Sequence, residues 1–246
     1  MGMSLIFDRM IALIDALSFV VQLNTEHAFH TLWSYTDVGH WLFSQYDGVP
    51  THLIALETIA VFFGFLSVWF SKRENILVYP TGIISTAIFV YILWVYGLLG
   101  DMLINAYYFM MSIYGWYFWT RKVDANHFIP ITKMDATENK RAVLLFLASM
   151  ALVVAVYLGF GKFNSWTSYI DTFTTAIFFV GMWLMAKKKL ENWVFWIIGD
   201  IISVPLYLYK GLVFSSVQYV LFTVIAFYGY QAWKKNLDKS PQTLLK

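Results

Sequence analysis

Apolar runs long enough to cross about 30 Å of hydrocarbon recur seven times along the chain, near 52–70, 76–97, 102–119, 142–160, 169–186, 193–210 and 213–233. Each predicts a membrane-spanning helix, and the polar stretches between them are short. Residues 1–23 follow another pattern. Met3, Ile6, Phe7, Met10, Leu13, Ile14, Leu17 and Val21 repeat at helical spacing, while Asp8, Arg9 and Asp15 fall off that stripe. Such a segment is expected to lie as an amphipathic helix on the outer membrane surface. A signal peptide would need a basic start and an unbroken apolar run. Residues 24–50 form a polar and aromatic outer segment; His27 and His30 lie there three apart, without a third ligand to make a metal site.

The spans contain an internal repeat. A shift of 117 residues superposes Thr58 on Thr175, Phe62 on Phe179, Gly64 on Gly181, Lys72 on Lys189, Glu74–Asn75 on Glu191–Asn192 and Gly82 on Gly199. After a three-residue gap, Gly97 meets Gly211 and "YGWYFW" (114–119) meets "YGYQAW" (228–233). Spans one to three then correspond to spans five to seven, with the fourth as a linker. Because one span intervenes, both triplets run in the same direction, a transporter arrangement with substrate held near mid-membrane between the halves. The expected fold is all-α: seven transmembrane helices as two parallel three-helix repeats joined by a linker helix, plus the N-terminal amphipathic helix. The expected divisions are 1–50 (outer segment), 51–122 (first repeat), 123–165 (loop and linker), 166–235 (second repeat) and 236–246 (tail).

Composition agrees with a bilayer protein: 59% of residues are hydrophobic and only 13% charged, about half the usual charged share. The Lys and Arg residues decide orientation. Fourteen of the seventeen, among them Lys72, Arg73, Arg121, Lys187, Lys188, Lys189 and Lys234, fall on one side; only Arg9, Lys162 and Lys210 fall on the other. The positive-inside rule then puts the C-terminus in the cytoplasm and the N-terminus outside. No basic face points to nucleic acid. With no cysteine there is no thiol chemistry, and no phosphate loop or His cluster calls for an enzyme or a cofactor. A retinal protein would need a lysine in its last span, which is absent.

One ionisable group stands out. Asp200 lies in the middle of "ENWVFWIIGDIISVPLY" (191–207), where an intramembrane carboxylate is a functional candidate by default. Asn192, Trp193, Trp196, Asp200, Ser203 and Tyr207 share one broad helical face; Asn105, Tyr108, Ser112 and Trp116 form a similar stripe on the third span. Gln218 and Phe222 on the seventh span and Thr174, Thr175 and Trp183 on the fifth complete the candidates. Converging, these faces would line an aromatic chamber with a few donors and acceptors. The expected substrate-binding residues are Trp183, Asn192, Trp196, Asp200, Asn105, Tyr108 and Gln218. Trp193 is expected chiefly as an interface anchor and Asn192 as a helix cap. Pro205 and Pro80 are expected to free the carbonyls of Ile201 and Ile76 and to soften the second helix of each triplet.

The repeat, "ENWVFWIIGD" (191–200) and "IYGWYFWTR" (113–121) resemble the PnuC family of bacterial nicotinamide riboside transporters, over roughly residues 50–235. The resemblance implies a SWEET-like 3+1+3 fold in the bacterial inner membrane, a homotrimer, and facilitated diffusion of nicotinamide riboside that cytoplasmic phosphorylation then traps. Relatives of this fold carry thiamine or riboflavin, so another vitamin is an alternative cargo, as is a sugar of the SWEET type.

Overall fold

The computed structural model describes residues 49–96, 99–122, 128–161, 163–209 and 213–239. The expected amphipathic helix, the His27/His30 pair and the end of the tail lie outside them. Two units divide the chain, Met1–Ile54 and Ala55–Lys246. Of the first, the described part is the turn that opens the first helix, where the Leu53 amide donates to the Pro50 carbonyl at 2.9 Å.

Seven helices follow one another among the described residues: α1 (Thr51–Lys72), α2 (Val78–Val95), α3 (Leu99–Trp119), α4 (Ala136–Gly159), α5 (Trp166–Ala186), α6 (Asn192–Tyr209) and α7 (Val213–Lys239). Each overlaps one expected span. Five are long and apolar enough to cross a membrane: α1, α2, α4, α5 and α6. α3 and α7 carry the Asn, Gln, Tyr and Trp residues that lower average apolarity, and they do not meet that criterion. The exterior is apolar instead of polar. Phe62, Trp94, Leu144 and Leu158 are each about three-fifths exposed (59%, 64%, 68% and 62%), which is the surface a lipid solvent favours and water does not.

The turns after α1 and α5 share one geometry at a spacing of 114 residues. The amides of Arg73, Glu74 and Asn75 donate to the carbonyls of Phe70, Ser71 and Phe70; those of Lys187, Lys188 and Lys189 donate to Leu184, Met185 and Leu184. Glu74 and Lys188 both take a left-handed backbone, with φ of 54° and 55°, a conformation that costs a residue with a Cβ about 1–2 kcal/mol. The 117-residue alignment of these loops is therefore displaced by three. Three residues are nearly one helical turn, so two apolar helices match almost as well in either register.

The same spacing governs helix packing. The Tyr79 ring of α2 lies on Gly115 of α3, and the Trp193 ring of α6 lies on Gly229 of α7; a Cβ at either glycine would sit 2.3 or 2.6 Å from the ring. Both rings then meet a tryptophan edge-on, Tyr79 with Trp119 and Trp193 with Trp233. These two indoles reach across between the helix groups. Trp119 Nε1 donates to the Met185 carbonyl at 3.2 Å and Trp233 Nε1 to the Ser71 carbonyl at 2.9 Å.

α4 starts from a strap pinned to the α5–α6 turn. Thr132 and Leu190 exchange backbone bonds with that turn, the Thr132 amide to Lys188 and the Leu190 amide to Thr132. Asp135 and Glu138 form a reciprocal capping box. The Glu138 carboxylate also takes Lys187 at 3.2 Å and Lys189 at 2.7 Å. Beyond its first turn, α4 packs Ala142 with Val180 and Leu184 of α5 and turns Leu144, Leu147 and Leu158 outward. Pro80 differs from expectation. α2 begins at Val78, so Pro80 sits in the first turn, where its missing amide has no intrahelical partner to lose. Pro205 does lie inside α6.

Candidate functional site

A cavity of about 240 Å³ lies among all the helices except α4. Its wall pairs off at the same 114-residue spacing: Gly64 with Phe178, Val68 with Met182, Gly82 with Trp196, Thr86 with Asp200, Tyr108 with Phe222, and Ser112 with Ala226. The two halves differ in chemistry. Apart from Tyr108 and two valines, α1 to α3 supply small and hydroxyl side chains, while α5 to α7 supply most of the rings and the charge. Where one half has Gly64 and Gly82, packed against serine hydroxyls, the other has Phe178 and Trp196.

The aromatic wall is a column. Trp196 stacks on Phe178 with centroids 5.5 Å apart, and Phe178 lies nearly parallel to Tyr219 at 6.1 Å. Two glycines admit it. Gly199 lies directly under the Phe178 ring, and the Trp196 ring lies 3.4 Å from where a Gly181 Cβ would sit. Local sequence thus positions the rings by omission: the helices approach where side chains are missing.

Opposite stands a wall of oxygens. Ser67 Oγ donates to the Val78 carbonyl at 2.8 Å, Ser85 Oγ to Ala60 at 2.8 Å and Thr86 Oγ1 to Gly82 at 2.7 Å. Their single protons are spent on the backbone, so toward the cavity these hydroxyls can only accept. Asp200 adds a carboxylate, 2% exposed, which no hydrogen bond or ion pair ties to another described residue. Among the described residues, no Lys, Arg or His lines the space. The cavity is therefore a mostly apolar, aromatic chamber with a few acceptors, suited to a ring-bearing ligand that brings donors or positive charge.

Of the expected residues, Tyr108, Trp196 and Asp200 come together on this wall. The other four lie elsewhere. Trp183 packs against the Ala142, Val180 and Leu184 cluster between α4 and α5, with the Lys187 ammonium 5.1 Å over its ring. Asn192 is fully buried and donates through Nδ2 to the Lys189 carbonyl at 2.6 Å, while its Oδ1 has no partner. Asn105 donates to the Asp101 carbonyl one turn back. Gln218 is half-buried outside the lining. Trp193 is no interface anchor: it is 2% exposed and lines the cavity. Phe178 and the hydroxyls of Ser67, Ser71, Ser85 and Thr86 were not singled out from sequence. Gly64 and Gly82, one and two turns from those hydroxyls, were the available signal.

Residues 54–235 match the family described as nicotinamide mononucleotide transporter. The chain belongs to that family. Among its relatives is the nicotinamide riboside transporter PnuC of Escherichia coli (strain K12), 26% identical over 205 residues, covering 72% of this chain and 84% of that protein. The riboflavin/roseoflavin transporter RibM of Streptomyces davaonensis is 25% identical over 208 residues, covering 82% of this chain and 96% of its own. In fold the chain is similar to the crystal structure of the vitamin B3 transporter PnuC, with a TM-score of 0.58 at 19% identity, over 84% of this chain and 94% of that one. These relatives are multi-pass membrane transporters and not enzymes. The relatives are named for nicotinamide riboside and for riboflavin or roseoflavin, and the family for nicotinamide mononucleotide, so the substrate is left to the chemistry of the cavity.

Proposed function

We propose that this family member takes up nicotinamide riboside by facilitated diffusion, holding it in the cavity beside Asp200. The observation that carries the proposal is a buried, unpaired carboxylate facing aromatic rings in a chamber with no cation of its own. The pyridinium ring of the riboside is a fixed positive charge, and a Trp or Tyr face attracts such a charge by about 0.5–2 kcal/mol. Its carboxamide and ribose bring N–H and O–H donors to the hydroxyl wall. A mononucleotide would add about two negative charges next to Asp200 with nothing to neutralise them. Rejection of that product is what would let phosphorylation in the cytoplasm trap the cargo.

Riboflavin is the second reading, supported by the RibM relative. The cavity volume of about 240 Å³ lies below the ~300 Å³ at which small-molecule pockets usually begin, which favours one ring and a sugar over a three-ring flavin. The deciding experiment is a binding panel on detergent-solubilised protein with nicotinamide riboside, its mononucleotide, nicotinamide, thiamine, riboflavin and a hexose. Tight binding to the riboside alone is expected; riboflavin binding with no riboside binding would give the site to the second reading.

The transport cycle in this proposal is a rocking of two parallel triplets, α1–α3 and α5–α7, with α4 as their linker. The 114-residue equivalences of turn, glycine contact and indole clasp support that arrangement, and Pro205 beside the site softens α6. Inward-facing basic loops and a homotrimer belong to the same proposal. The first rests on the distribution of Lys and Arg and the second on the resemblance; accessibility of single introduced cysteines and the mass of the solubilised complex test them.

A further inference from the structure

A second concavity lies on the outside of the bundle, where α1 meets α7. It holds about 320 Å³ and is lined by Phe62, Phe65, Leu66, Trp69 and Ile225, with no polar surface. The α1 residues are spaced three and four apart, so they form one stripe along the helix. That stripe continues into Lys72 and Arg73. The Lys72 ammonium lies 4.7 Å over the Trp69 ring and 5.2 Å over the Tyr228 ring of α7, and the Arg73 guanidinium lies 4.9 Å over Trp69.

Neither cation pairs with a carboxylate among the described residues. The adjacent acid, Glu74, is committed elsewhere: its carboxylate takes Lys188 at 2.9 Å and Asn236 at 3.2 Å. From Phe62 to Lys72 the helix rises about 15 Å, half of the ~30 Å hydrocarbon core. The groove is about one leaflet long, apolar along its length, and ends in two positive charges that have no carboxylate partner among the described residues and are flanked by aromatics of the kind found at headgroup level.

We infer that the α1–α7 groove is a binding site for an anionic phospholipid, with an acyl chain along Phe62, Phe65 and Ile225 and the phosphate between Lys72 and Arg73. Charge selects this occupant over a second copy docked by the same face. A like surface docked there would bring two more cations against the first two, whereas a phosphate neutralises them. Zwitterionic lipid fills the groove equally well with its chains but leaves the cations without a net counter-charge.

Native mass spectrometry of the full chain, titrated with phosphatidylglycerol and with phosphatidylcholine of the same chains, tests the site. Wild type is expected to retain the anionic lipid preferentially. A basic residue near a membrane surface contributes about fivefold to anionic-lipid affinity, so Lys72→Ala/Arg73→Ala should lose roughly 30-fold in that preference while phosphatidylcholine retention stays the same. Ile225→Trp, which fills the groove and keeps both cations, should lower retention of both lipids. Equal retention of the two lipids by wild type, or a preference that survives in the double variant, overturns the assignment. So does efficient disulfide dimer formation by Phe62→Cys in this cysteine-free chain, since it would put a second copy in the groove.

Discussion

Asp200 and Thr86 occupy equivalent places on the two sides of the cavity, yet only Asp200 brings a charge. If that charge recognises a pyridinium, Asp200→Asn should weaken nicotinamide riboside binding about tenfold to a hundredfold, the range for one charge-assisted contact of about 1.5–3 kcal/mol. The reduced riboside, whose ring is neutral, is the matched control. Wild type should prefer the oxidised form in calorimetry and the variant should not discriminate; equal affinity of wild type for both forms would remove Asp200 from recognition. Gly199 makes a complementary point about space. An added methyl would sit 2.3 Å from Phe178, so Gly199→Ala must push the ring column or part α5 from α6. Overpacking of this kind costs about 1–3 kcal/mol, and a lowered melting temperature with weakened binding is expected, whereas Gly159→Ala, with open space around it, should leave both unchanged.

At the scale of elements, the strap is held by burial of Ile131 and by backbone bonds, and the first turn of α4 adds a cluster of charges. Burial alone would push the Glu138 carboxyl up, but the Lys189 and Lys187 ammonium groups and the Asp135 amide outweigh it and hold Glu138 below the ordinary carboxylate range. A group depressed in the folded state stabilises it above the unfolded value and loses that contribution as pH falls through the folded one. Acidification below the ordinary value of 4.5 should therefore lower the melting temperature of wild type, and less so that of Glu138→Gln. Equal acid sensitivity in the two proteins would show that the charge cluster does not contribute. α3 and α7 are joined to their neighbours by rings and glycines. Their tyrosines, tryptophans and glycines make them poorer membrane spans by composition, yet Gly115 and Gly229 receive the Tyr79 and Trp193 rings of α2 and α6, and Trp119 and Trp233 meet those rings edge-on.

For the whole molecule, the two indole clasps link α1–α3 with α5–α7, beside the Glu74–Lys188 ion pair and the Tyr107 hydroxyl bond to the Phe179 carbonyl. Trp119 and Trp233 hold the carbonyls of Met185 and Ser71, and both of those residues line the cavity at its basic end. In the proposed rocking cycle, opening that end would break both bonds. Trp119→Phe and Trp233→Phe remove one clasp each while keeping an aromatic ring. Both should raise the labelling rate of Ser112→Cys, buried at 3%, by a thiol reagent added from the side of the basic loops. Because the natural chain has no cysteine, the signal reports this position alone. An effect of one tryptophan without the other would argue against the two halves acting as equivalent gates.

The helices, their apolar exterior and the family were legible in the order of residues, because a chain in lipid must satisfy its backbone within each segment and so writes every span as a continuous apolar run. Asp200, Trp196 and Tyr108 were legible for a related reason: a costly group in such a run needs a purpose. The 114-residue register of the first two spans and the turn between them, the hydroxyl wall and the exclusion of Trp183, Asn192, Asn105 and Gln218 from the cavity were decided by tertiary structure; only the last span of each triplet already carried that register in sequence. A helical face spans a wide arc, and sequence periodicity cannot say which neighbour it meets. That choice was made where Gly115, Gly199 and Gly229 let a ring from one helix settle onto the backbone of another.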